Sequence, residues 1–129
     1  MITAYLAVLP SYYENEDIEI RYRIYEDEEL ICRENIFKSY KKPSICELVG
    51  LQALLKALKE HDGKEIAVIV NNGAINEQLE GTTQTKNNDI IRMSKIVKGD
   101  LDKFESQIII KDISGNNEEL KKWNEISRP

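Results

Sequence analysis

Between residues 18 and 25 the chain alternates without a break, with Ile18, Ile20, Tyr22 and Ile24 on one side and Glu19, Arg21, Arg23 and Tyr25 on the other. Successive side chains of a β-strand point to opposite faces, so a period of two marks a strand with one face buried. Ile2 to Leu9 is apolar or aromatic throughout except at Thr3, the composition of a strand buried on both faces, and Pro10 ends it. Tyr12 to Asp17 reads as a polar turn. The acids Glu26 to Glu29 form a hairpin tip, and Leu30 to about Phe37 supplies a third strand. Three strands joined by short turns make an antiparallel meander.

Past Lys42 the period changes. Pro43 and Ser44 announce a helix on which Leu48, Leu51, Leu54, Leu55 and Leu58 form one apolar stripe, and Gly63 stops it. Ser44 and Glu47 have capping-box spacing. His61, the chain's single histidine, sits at the helix exit as a C-terminal cap or dipole partner. Ile66 to Val70 is short, wholly apolar and rich in β-branched residues. Following a helix, it is expected to lie parallel to the first strand. Asn71-Asn72-Gly73 then turns into a short helix that ends before Gly81, and Thr82 to Asn88 is a polar loop. Ile90, Ile91, Ile96, Val97, Leu101 and Phe104 suggest a helix in two segments with a weak point at Gly99. Gln107 to Ile113 is the last strand, and a final short helix carries Leu120 and Trp123 inward. The expected order is β-β-β-α-β-α-α-β-α, an α/β fold in which helices pack on a five-stranded mixed sheet.

Length and composition bound what such a sheet can do. The 129 residues fit a single domain, 1–129, large enough to fold without a disulfide or metal. Cys32 and Cys46 lie fourteen residues apart with neither a CxxC pair nor a histidine cluster, so no zinc site is readable. Met1 leads directly into strand-like sequence with no basic start, and no apolar run approaches the roughly 20 residues that span a bilayer. A cytoplasmic protein with no membrane partner is the expectation. A net charge of −5 argues against gripping nucleic acid by charge alone. The local clusters Arg21/Arg23 and Lys38/Lys41/Lys42 read as solvated faces.

The element order, together with local sequence, resembles the ribonuclease H family. Cys46-Glu47-Leu48-Val49-Gly50-Leu51 looks like the family's helical Ala-Glu-Leu-x-Ala, with Glu47 at the catalytic glutamate. Val70-Asn71-Asn72-Gly73 through Gln78-Leu79-Glu80-Gly81 resembles Asp-Ser-x-x-x-x-x-Gln-Leu-x-Gly, which puts Asn71 at the family's aspartate and Asn72 at its serine. Ile113-Ser114-Gly115-Asn116-Asn117 is similar to the Val-Pro-Arg-x-Asn run that leads into the family's last helix.

The resemblance implies a ribonuclease H-like sheet and, in active members, cleavage of the RNA strand of an RNA–DNA hybrid by two metals held on four acids. Those acids are demanded by physics, since two divalent cations beside a phosphate need hard, charged oxygen ligands. Here no acid precedes Glu14, Asn71 replaces an aspartate, and the last position falls on Lys121 with Glu118 and Glu119 beside it. Glu47 remains, although a capping box would account for it without chemistry. Asp112, on the last strand, is a further acid for the site. Asn72, Lys86 and Asn117 are the candidates for contacts to nucleic acid. The expectation is therefore a catalytically degenerate, non-catalytic module with no cofactor, working on a protein partner or a second copy. Mg²⁺ or Mn²⁺ enters only if the residual site is active, and binding of RNA or an RNA–DNA hybrid is not favoured by the charge.

Overall fold

Strands β1 (Ile2–Leu9), β2 (Ile18–Glu26), β3 (Glu29–Lys38), β4 (Ile66–Val70) and β5 (Ile108–Asp112) form one mixed sheet in the order β3-β2-β1-β4-β5, in a computed structural model that describes residues 1–11 and 13–128. Tyr12, the first residue of the turn expected over 12–17, lies outside the described residues. The central strand is the apolar run at the start of the chain. It pairs antiparallel with β2 and parallel with β4, and β4 is parallel to β5. The meander and the parallel crossover are thus both as the hydrophobic pattern requires.

The β2–β3 hairpin turns on two residues, Asp27 and Glu28, both at positive φ (51° and 89°). A two-residue hairpin needs this conformation to match the strand twist, and non-glycine residues adopt it only at a cost. Contacts from Met1 help hold it: its carbonyl accepts from the Asp27 amide at 3.1 Å, and its ammonium meets Asp27 Oδ1 at 3.0 Å.

On one face lie α1 (Cys46–Leu58), α2 (Ile75–Glu80) and α3 (Asn88–Asp102). Ile2, Ala4, Leu6, Ile18, Ile20 and Ile24 meet the buried leucine stripe of α1 there, as its helical spacing predicts. Gly50 lets α1 come close to the sheet, because a β-carbon at this position would overlap Val8 Cγ2 and sit 3.6 Å from Leu6 Cδ1. Mid-helix glycine costs about 1 kcal/mol relative to alanine, and the close approach is its return. On the opposite face α4 (Asn117–Ile126) covers Tyr5, Ile69 and Ile113 with Leu120, Trp123 and Ile126.

Three expectations need correction. First, there is no Ser44–Glu47 capping box. Pro43 starts a 3₁₀ turn, Pro43–Ile45, that absorbs Ser44, and α1 begins at Cys46 with Ile45 as an N-cap that makes no side-chain bond. Glu47 is thereby the second helical residue, one short of the position that reaches back to a cap. Second, α3 is one continuous helix of 15 residues, and Gly99 does not divide it. Asn87 caps it by accepting from the Asp89 and Ile90 amides, and the buried Val97 with Leu101 and Phe104 keeps its stripe on the core across the glycine.

Third, Arg21 and Arg23 are not a solvated face. Arg23 is 2% exposed, and both side chains reach the C-terminal end of α4. At the helix exit His61 stands in the last turn of the 3₁₀ stretch Lys59–His61 that extends α1, its Nε2 3.3 Å from Glu60 Oε1, and Asp62 organises the chain beyond it. The Asp62 carboxylate accepts from the backbone amides of Ser106, Glu105 and Gly63, tying the end of α1 to the loop before β5. Hydrogen bonds from the Ser106 and Glu105 amides hold its carboxyl well below the usual range.

Candidate functional site

Because β1, β4 and β5 run parallel, their carboxyl ends share one end of the sheet. Crevices at that end are where open α/β sheets place their ligands. Four segments converge on it. Beyond β1 come Pro10 and the buried Ser11, whose hydroxyl donates to Glu16 Oε2 at 3.0 Å. After β4 comes the Asn71-Asn72-Gly73 turn, after β5 the turn led by Asp112, and overhead the first turn of α1 carries Glu47. The last placement follows from Gly50, which sits on Val8 near the end of β1 and is one helical turn beyond Glu47.

The candidate side chains are not equally free. Asn71 is exposed at the end of β4, where the resemblance implies an aspartate. Asn72 is half-buried, and its Oδ1 accepts from the Ala74 amide at 2.9 Å, an Asx turn that shapes the entry to α2. Asp112 is engaged twice by Ser114, by its amide at 2.8 Å and its hydroxyl at 2.9 Å. The turn of β4 packs against it, since a β-carbon on Gly73 would lie 3.9 Å from Asp112 Oδ2. Asn117 is the first residue of α4 and is exposed, the cap being supplied by Asn116 through the Glu119 amide at 3.1 Å. Lys121 is exposed one turn further on, and Lys86 is exposed in the loop before α3.

Glu47 differs from all of these. It is half-buried and accepts no hydrogen bond from another described side chain or amide, and burial alone pushes its carboxyl up to about 7. Sequence reasoning could not see this, because capping-box spacing offered Glu47 a partner that the 3₁₀ turn removes. It also passed over Glu16, which Ser11 draws back to the exit of β1 from the far side of a loop. Among the described residues no three His, Cys, Asp or Glu side chains form a cluster able to hold a metal. The set fits a two-metal centre poorly, with one isolated acid on α1, one amide where a charge is needed, and one acid already engaged by Ser114.

The pH dependence of stability follows from Glu47. Its folded pKa lies above its ordinary value of 4.5, so the folded state binds the proton more tightly. Stability is therefore greatest below pH 4.5 as far as this group is concerned, and it declines as pH rises to about 7, then levels. Glu47→Gln should remove that decline, a gain on the order of 3 kcal/mol at pH 8. Urea denaturation of both proteins from pH 4 to pH 8 would check it, and parallel profiles would refute it.

No protein-family description matches the sequence, and no curated protein does either. Solved structures do. Ribonuclease H1 of the halophilic archaeon Halobacterium salinarum superposes with a TM-score of 0.75 at 16% identity, over 92% of this chain and 89% of that one. LC11 ribonuclease H1, isolated from compost by a metagenomic approach, was solved in complex with an RNA/DNA hybrid and gives 0.77 at 14% identity, over 98% and 93%. The N-terminal ribonuclease H domain of rv2228c from Mycobacterium tuberculosis gives 0.70 at 12%, over 97% and 95%. At such identities the likeness concerns architecture, and the architecture is ribonuclease H-like.

Proposed function

We propose that this ribonuclease H-like domain is a non-catalytic module that acts by binding, to a protein partner or to a second copy of itself. The observation carrying the reading is the donor set at the carboxyl ends of β1, β4 and β5. Asn71 offers an uncharged oxygen, Asp112 is held by Ser114, and among the described residues Glu47 belongs to no group of three acids, histidines or cysteines able to hold a metal. Two hydrated divalent cations require several full negative charges to shed their water and bridge a phosphate. One half-buried carboxyl beside an amide and a carboxylate engaged by Ser114 does not supply them. Mg²⁺ or Mn²⁺ chemistry would need other acids, such as Glu16, Glu118 or Glu119, to move toward Glu47.

A second reading, a binder of RNA–DNA hybrids that does not cut, is favoured by one observation: a structural neighbour holds such a hybrid. Asn71, Asn117 and Lys86 are exposed here and would serve as its contacts. The net charge of −5 weighs against it.

The test is a fluorescent RNA–DNA hybrid incubated with the protein and Mg²⁺ or Mn²⁺, scored at once for binding and cleavage. The expected result is no cleavage above a buffer control. Cleavage that Glu47→Gln abolishes would overturn the non-catalytic reading. Tight, salt-sensitive binding without cleavage would replace the protein-partner reading with the second one.

A further inference from the structure

A groove between α2 and α3 has no part in the site at the strand ends. It encloses about 540 Å³, within the roughly 300–1,000 Å³ typical of small-molecule sites. Leu79 and Ile91 line it, the latter 37% exposed although it is a large aliphatic side chain. Ser94 lines it too, 5% exposed, with a buried hydroxyl that has no hydrogen-bond partner among the described residues. Leaving a buried hydroxyl unpaired costs about 1–3 kcal/mol, unless a guest satisfies it.

Gly99, five residues further along α3, points to the same groove. It lies in the last turn of α3, with three helical residues still to follow, where alanine would gain up to about 1 kcal/mol. Nothing stands within 4 Å of where its β-carbon would be, so no close packing explains the glycine, as Val8 explains Gly50. The missing side chain keeps that wall of the groove open. Thr83 and Thr85, from the loop after Gly81, add hydroxyls opposite. At the rim Lys98 is paired with Asp102 at 3.6 Å, whereas Lys95 has no ion pair among the described residues. Glu80 also stands on the rim, so the electrostatics suit one negative charge better than two.

We propose that this groove is a binding site for a small amphiphilic monoanion, a carboxylate bearing an aliphatic tail. The carboxylate accepts from the Ser94 hydroxyl and from the Lys95 ammonium, and the tail covers Leu79 and Ile91. Gly99 leaves the room through which it enters.

Octanoate is a suitable probe, titrated into ¹⁵N-labelled protein and followed by amide shifts. The expected result is saturable shifts at Gly81, Ser94 and Gly99, with octanol binding at least tenfold more weakly because it lacks the charge. Gly99→Leu should abolish the shifts while keeping a native spectrum, and Ser94→Ala and Lys95→Gln should each weaken binding at least threefold. Shifts that do not saturate, that saturate elsewhere, or that octanol reproduces at equal affinity would overturn the proposal. So would undiminished binding by a folded Gly99→Leu variant. Should that variant fail to fold, unchanged affinity in both Ser94→Ala and Lys95→Gln overturns it equally.

Discussion

Trp123→Ala is expected to lower the stability of the domain by about 3 kcal/mol, near the lower end of the range for truncating a large aromatic side chain, since Trp123 is only half-buried. Two losses combine. The indole is the largest side chain α4 lays over Tyr5, Ile69 and Ile113, and its Nε1–H donates to the Leu6 carbonyl at 3.0 Å. The pairing of β1 with β4 ends at Tyr5 and Ile69, so the Leu6 carbonyl lies one residue beyond its ladder. Without the indole it is left to whatever water reaches it. Trp123→Phe separates the terms: it keeps most of the ring and loses the donor, for about 1 kcal/mol. Urea denaturation followed by far-ultraviolet circular dichroism gives both values. Equal losses for Ala and Phe would show that packing contributes little.

Arg23→Ala should be nearly as damaging, at about 2–4 kcal/mol, for a different reason. Arg23 Nη1 donates to the Tyr22 and Glu34 carbonyls at 2.9 and 2.8 Å, and Nη2 to Asn35 Oδ1 and the Arg128 carbonyl at 2.8 and 3.0 Å. Arg21 and Arg33 add bonds to the Ser127 and Arg128 carbonyls at 3.2 and 3.3 Å. The last turn of α4 contains no basic residue of its own, so the sheet supplies the positive charge that a helix C-terminus attracts. Burial, together with the like charges of Arg33 and Arg21, pushes the Arg23 guanidinium below its ordinary pKa. That cost is accepted because a planar fork can serve four acceptors at once. Arg23→Lys should therefore recover less than half of the loss, since one ammonium cannot span them. Hydrogen exchange at the end of α4 would rise more than exchange in β1 if the clamp acts locally. Uniform acceleration would mean that Arg23 supports the whole sheet instead.

These two residues also show where the sequence was legible. The strands and the buried stripe of α1 follow from periodicity, a local signal read at 2 or 3.6 residues, and the meander and parallel crossover follow from the short turns and the helix between them. Ile2–Leu9 and Ile66–Val70 needed nothing else. Arg23 defeated the same logic, because a period-two pattern assigns its polar face to solvent. The face is covered by a helix about a hundred residues later in the chain, which local alternation does not report. Ser44 and Glu47 failed for a subtler reason: the spacing of a cap was present, but Pro43 favoured a tight turn that consumed the capping residue. The candidate site was legible as a set of positions, Glu47, Asn71 and Asp112, through resemblance. That Asp112 is held by Ser114, that Asn72 closes its own turn, and that Glu47 stands unpartnered in a half-buried position were not, since each depends on hydrogen bonds no spacing encodes.

Strand β3 carries a consequence for how copies of this domain meet. It is an edge of the sheet, ten residues long, free of proline, with Leu30, Ile31 and Phe37 largely exposed. Such an edge is a template for another strand. Two identical strands can pair antiparallel about a twofold axis normal to the sheet only in registers where one residue faces its own copy. Over its ten residues the two registers of greatest overlap place Arg33 against Arg33 or Glu34 against Glu34, and both must also run across the bulge at Ile31, where the ladder to β2 skips a residue. Either sets like charges directly opposite, at the closest approach of the two chains. The two central residues of the strand thus act as a lock that refuses its own key, and sheet-to-sheet joining of identical copies is steered away from the one edge long enough to support it.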